Sequence, residues 1–411
     1  MGLLKISDNG RYFVKDGAPF FWLGDTIWPA PCAFSEEELE FYFSRRKAQG
    51  FTVAHIMIPW VSFDGTLFAV KEGDTMDNMP MWLNNNPATP NEEYFKLVDR
   101  VIQIAAKHDI IIVMLPCGGG GGTFVVHKKV ITADNARAYA RWLSNRYKDE
   151  PNIIWANGFD MPAWSFEDVA REFVAGIKEG GAKQLMSYHA CGAASSSYFH
   201  DEDWLDMNFI QTWTDYEQIP KMITSDYHRK PPKPVVHVEG AYESGIEYSF
   251  TVTSRMVRWQ AYVSVLAGGF HTYGHNDIWR KSPYWRECVD SKGANEMTIL
   301  KNFFTSLEWW KLQPDMTLFG KQMWKGRAAA ISQDNDFAVI YFTSRMDLSI
   351  GIGRIGAGGP VRAIWIDPTT GKQVSETVVN GERHSFTSPA CCDDALLLIT
   401  KPDAYKPPAV V

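Results

Sequence analysis

The chain has 411 residues, 45% of them hydrophobic and 22% charged, with a formal net charge of −7. It exceeds the usual size of one core, so a large globular domain with a smaller companion is expected. The negative balance argues against a nucleic-acid or anionic-membrane partner, and no apolar run nears the ~20 residues that span a bilayer.

The opening residues, MGLLKISDNGRYFVKDG, hold no cationic region followed by a long apolar core. No secretory signal is visible, which implies a cytoplasmic protein, or a secreted or periplasmic one whose signal has been trimmed. From Lys5 to Pro19 the turns Asn9-Gly10 and Asp16-Gly17 predict a hairpin. An apolar strand follows over 20–23, then a helix capped by Ser35 and running to about Gln49. The alternation then becomes regular. Strands are predicted over 52–58, 110–115, 153–157, 184–189, 207–211, 235–239 and 269–273, with helices over 91–108, 132–149, 166–179, 219–226, 251–267 and 295–311. A long polar and aromatic loop, 59–90, interrupts them early, and the glycine run Gly118–Gly122 follows the third strand.

Eight strand-plus-connection units over about 300 residues are the size and signature of a (β/α)₈ TIM barrel. An open doubly wound sheet would carry a Gly-x-Gly-x-x-Gly fingerprint after its first strand, and GDTIWPA is not one. After Pro314-Asp315 the texture changes to short alternating segments (FAVIYFT, VRAIWID, LLLIT) separated by turn residues, which predict a small antiparallel β-sandwich domain. The expected division is 1–312 for the barrel with its N-terminal hairpin, 313–403 for the sandwich and 404–411 for a tail.

Barrel enzymes draw their sites from the C-terminal ends of several strands. In chain order those ends carry Asp25 and Trp28, then Trp60, then Asp160, then His189. Gln211 and Trp213 follow the sixth strand, Glu239, Tyr242 and Glu243 the seventh, and His271, Tyr273, His275 and Asn276 the eighth. Acids, amides, imidazoles and indoles on one rim suit a sugar: polar groups for its hydroxyls, flat rings for its C–H faces. The total of 16 tryptophans fits that reading, although large barrels also bury many.

Two carboxylates on opposite sides of a scissile bond are the minimum for glycoside hydrolysis. Asp160 and Glu239 end strands four and seven, which lie across the barrel from one another, and Glu239 follows VVHV on a buried strand, where an idle carboxylate would be costly. A gap of about 5 Å would make Glu239 a nucleophile and the reaction retaining; about 6.5–9.5 Å would make it a base and the reaction inverting. His271 and His275 have i, i+4 spacing but stand on a strand and loop, so substrate hydrogen bonding is expected of them rather than metal binding. His55 and His237 lie inside strands and read as core histidines. The six cysteines show no metal-ligand spacing, and no cofactor or metal is expected.

Several stretches together resemble the apiosidase-like glycoside hydrolases, (β/α)₈ barrels with a C-terminal β domain once described as collagen-binding-like. They are PFFWLGDTIW, RWLSNRYKDEPNIIWANGFD, WLDMNFIQTW, KPVVHVEGAYE, AGGFHTYGHNDIW, WWKLQPD and AIWIDPTTGK, spread over nearly the whole chain. The resemblance implies Asp160 as acid/base, Glu239 as nucleophile, and an oligosaccharide of plant cell-wall type as substrate. Departures at Ala156–Phe159 and in CGGGGGTF bear on the choice of sugar rather than on the reaction. Trp28, Trp60, His189, Gln211, Trp213, Tyr242, His271, Tyr273, His275, Asn276 and Asp25 are the expected substrate contacts. A catalytically inactive carbohydrate-binding barrel and a metal-dependent hydrolase are the alternatives, and the oligomeric state stays open.

Overall fold

Eight parallel strands form an inner wall: Leu23–Thr26, Val53–Met57, Ile111–Leu115, Ile153–Gly158, Met186–His189, Asn208–Trp213, Val235–Gly240 and Phe270–Tyr273. They are numbered below as the first to the eighth barrel strand. The structure, a computed structural model, describes residues 2–59, 79–117, 130–158, 160–246, 248–320 and 326–402. From the fifth strand back to the first, and from the eighth back to the sixth, each lies beside its chain neighbour, and the eighth pairs with the first. Between the fifth and sixth strands, side chains and loop bonds close the ring. Asp206 N donates to Met186 O at 2.9 Å, Met186 N to Asp206 Oδ2 at 2.7 Å, and Ser187 Oγ to Met207 O at 2.8 Å. The expected TIM barrel is present.

Every residue of the second, third, fourth and seventh strands is buried, which is why these stretches read as nearly unbroken apolar runs. Helices Glu36–Ala48, Glu92–Lys107, Ala133–Tyr147, Ala163–Gly180, Gln218–Tyr227, Ser254–Leu266 and Lys292–Thr305 cover the outside. The first starts at a capping box: Ser35 accepts from Glu38 N while the Glu38 carboxylate accepts from Ser35 N. The expected strand over 20–23 is corrected. Asp16 and Gly17, at φ 50° and 82°, turn the chain so that Ala18–Phe20 pairs back on Phe13–Lys15, and the barrel begins only at Leu23.

The C-terminal region is an antiparallel β-sandwich. Leu312–Pro314, Arg327–Ser332, Phe337–Phe342, Val361–Ile366, Gln373–Val379 and Ala395–Thr400 make one sheet, and Asp347–Gly351 pairs with Arg383–Thr387 in the other. Strand alternation does double work on Phe337–Phe342. Phe337, Val339 and Tyr341 pack into the barrel's core, whereas Ala338, Ile340 and Phe342 fill the sandwich. The expected tail lies outside the described residues. Among the described residues no helix is long and apolar enough to cross a membrane.

Candidate active site

The fourth strand ends at Gly158, with φ 86°. A Cβ there would sit 2.4 Å from the His189 carbonyl oxygen, so only glycine lets the fifth strand's end approach so closely. Two residues on, Asp160 also has a left-handed backbone, φ 52°, a conformation that a non-glycine residue adopts at a cost. That turn aims its carboxylate at the sixth and seventh strands. Gln211 Nε2 donates to Asp160 Oδ1 at 2.7 Å and to Glu239 Oε2 at 2.8 Å, so one amide nitrogen bridges both acids.

Glu239 reaches this position through a register slip. Ile210 pairs with His237, but the next residue, Gln211, pairs with Glu239, leaving Val238 as an extra residue in the seventh strand. Regular alternation would put His237 and Glu239 on one face. With the slip, His237 contacts Thr212 and Ser264 toward the helices, while Glu239 turns to the mouth. His189 Nε2 lies 3.3 Å from Glu239 Oε2, and the Tyr242 hydroxyl donates to Oε1. That hydroxyl accepts from Trp28 Nε1 at 2.9 Å. Burial, reinforced by the Glu239 charge, raises the Tyr242 phenol well above its ordinary range, so it stays a donor. The Trp28 ring meets His189 edge-on at 5.7 Å.

One donor atom each from Asp160, His189 and Glu239 lie within 4.8 Å of one another, and the same holds for His275, Asp277 and Cys288. Either set could hold a cation by its donor chemistry. In the first, the Gln211 amide occupies the bridge between the two carboxylates.

The structure thus gathers Asp160, Glu239, His189, Gln211, Tyr242 and Trp28. Trp213 stands beside them at the rim, 44% exposed with φ 49°, its ring next to Gly192. Trp60 and the glycine run lie outside the described residues. The other expected substrate contacts are corrected. Asp25 is fully buried: Tyr42 Oη donates to it at 2.6 Å, Arg46 Nε at 2.5 Å and Thr26 N at 2.8 Å. Tyr273, its register partner, donates to Glu243 Oε2 at 2.5 Å. Both side chains face outward to the helices rather than into the mouth. Glu243 also accepts from Ser291 Oγ at 2.8 Å and Gly293 N at 3.0 Å, which ties it to the start of helix Lys292–Thr305. His275 Nδ1 accepts from Asp277 N at 3.1 Å as the cap of helix Asn276–Trp279, and Asn276 Oδ1 accepts from Trp279 Nε1 at 3.2 Å.

His271 is buried with its Nδ1 3.1 Å from His237 Nδ1. Burial pushes His55 and His271 well below the ordinary imidazole range and His237 down to about 3. Unfolding returns all three to about 6.5. The stability they contribute is therefore complete above about pH 6.5 and is lost as pH falls toward their folded values. The urea midpoint is expected to drop steadily from pH 6.5 to about 4. A flat midpoint over that range would contradict neutral buried imidazoles.

Two carboxylates brought together at the mouth of a closed parallel barrel are what glycosidic-bond cleavage requires, and the class so defined is a barrel glycosidase. The sequence profile of the apiosidase-like catalytic domain matches residues 7–311, and the chain belongs to that family. A solved structure described as a glycoside hydrolase shares 26% identity at TM-score 0.83, covering 98% of this chain and 97% of its own. A family 5 glycoside hydrolase from Bacteroides vulgatus ATCC 8482 shares 25% identity at TM-score 0.84, covering 100% of this chain and 96% of its own. A β-L-arabinopyranosidase from Geobacillus stearothermophilus, 12% identical at TM-score 0.58 over 94% of this chain and 97% of its own, shares the fold alone. No curated protein matches the sequence.

Proposed function

We propose that this glycosidase acts with retention of configuration on an oligosaccharide of plant cell-wall type, with Glu239 as nucleophile and Asp160 as general acid/base. The carrying observation is the gap: oxygens of the two carboxylates lie within 4.8 Å and share one amide donor. A closest approach of that size suits the close spacing of retaining enzymes better than the wider gap in which an inverting enzyme seats its water. Glu239 attacks the anomeric carbon while Asp160 protonates the departing oxygen. The glycosyl ester is then hydrolysed by a water that Asp160 deprotonates. Tyr242 and Gln211 hold the nucleophile's two oxygens in place for the attack.

A panel of aryl pentofuranosides and hexopyranosides, followed by proton NMR of the first-formed sugar, tests this. The anomer of the substrate supports retention; the opposite anomer overturns it. Glycan binding with no sugar released from any member would make the barrel a binding module.

Trp213 offers its exposed ring as a stacking platform for a sugar face. Trp213→Ala is expected to raise KM for an oligosaccharide about tenfold, as the loss of one aromatic contact would, with kcat within about twofold. An unchanged KM would remove Trp213 from the substrate path.

A further inference from the structure

Gln211 is fully buried on the sixth strand, and its Nε2 serves both carboxylates while its Oε1 finds no hydrogen-bond partner among the described residues. The reversed amide would set a carbonyl oxygen against two carboxylate oxygens. The orientation that leaves a buried acceptor unpaired is therefore the one the two acids impose, and a buried unpaired acceptor is costly. An arrangement that tolerates this cost is built for what the nitrogen does.

We propose that Gln211 is the positioning residue of the acid pair, fixing the distance between Asp160 and Glu239 and the order in which they take up protons. The inference rests on the reading of those two residues as acid/base and nucleophile. A donor held by two carboxyl groups favours the charged form of either; Asp160 holds the pair's one proton when it acts as acid, and the amide keeps Glu239 charged beside it. Among the described residues, titratable groups that meet the pair from neighbouring elements include His189 on the fifth strand, Cys191 just beyond it and Tyr242 after the seventh. Gln211's own neighbours on its strand, Ile210 and Thr212, carry no charge, and Thr212 is engaged with His237.

Carboxyl-carbon NMR titration of protein labelled at Asp and Glu reads this without a known substrate, with Asp160→Asn and Glu239→Gln giving the assignments. In Gln211→Met the midpoint of at least one of the two signals is expected to move up by about one pH unit. On any aryl glycoside the enzyme turns over, kcat should fall about 10²-fold, with the acid limb of kcat/KM moving the same way and KM within about threefold. Gln211→Leu provides a second variant if the first does not fold. Unmoved midpoints in a folded variant would overturn the inference, because a merely structural glutamine would lower activity and leave the titration alone. Whether Asp160→Asn and Glu239→Gln abolish turnover is decided by their own kinetics, so failure of the catalytic reading and failure of this inference stay distinguishable.

Discussion

Glu239→Gln is expected to reduce turnover by at least about 10⁴-fold while leaving glycan binding and the fold intact. The substitution is isosteric, and its surroundings can accept it. One end of the new amide keeps an oxygen for Gln211 Nε2, and the other turns its N–H toward the Tyr242 hydroxyl, which has a lone pair to receive it. What is lost is the charge that attacks the anomeric carbon. Asp160→Ala completes the test from the other side. With an activated aryl glycoside as substrate, azide should restore part of its turnover and give a glycosyl azide of retained configuration, since the glycosyl ester still forms and only the base is missing. A Glu239→Gln protein within tenfold of wild-type turnover would end the assignment, as would a glycosyl azide of inverted configuration.

The parts of this site that could be read from the chain were those fixed by buried strands. From the second barrel strand on, strand ends fell within about two residues of expectation because strands such as Ile111–Leu115 and Ile153–Gly158 are buried on both faces, and few other conformations would bury such runs. Asp160, His189, Gln211 and Glu239 were legible for the same reason: each closes such a run. Which face a residue takes was not legible. Asp25 and Tyr273 stand at strand ends like the others, yet their parity sends them to Arg46 and Glu243 in the outer layer. The slip at Val238 reverses that logic for Glu239, and no local signal marks it, since a valine suits either a regular strand or a bulge. Gly158 was likewise silent: its purpose is room for a neighbour, His189, that is distant in sequence.

Arg258→Met should cost about 3–5 kcal/mol of stability, the usual consequence of stranding buried carboxylates. Arg258, on helix Ser254–Leu266, is 3% exposed at its side chain and grips Asp394 with two bonds, Nε to Oδ2 at 2.8 Å and Nη2 to Oδ1 at 2.6 Å. Its Nη1 donates to Glu296 on helix Lys292–Thr305, and Tyr341 of the sandwich donates to Asp394 while its ring stacks on Tyr262 at 4.7 Å. One guanidinium therefore bonds two buried acids, one on the barrel and one beside the sandwich strand Ala395–Thr400. Burial already raises Glu296 above the ordinary carboxylate range despite its partner. Without Arg258 both acids would favour the protonated form in the folded state, so their contribution to the variant's stability is highest at low pH and falls as pH rises past the unfolded carboxylate value of about 4. The deficit relative to wild type should thus be larger at pH 8 than at pH 5. Urea unfolding at both values measures it. Adding Asp394→Leu and Glu296→Gln should recover much of the loss, because an apolar or neutral cluster needs no counter-charge. A single variant that loses less than about 1 kcal/mol at both pH values would mean that apolar packing alone, around Tyr262 and Tyr341, holds the sandwich to the barrel.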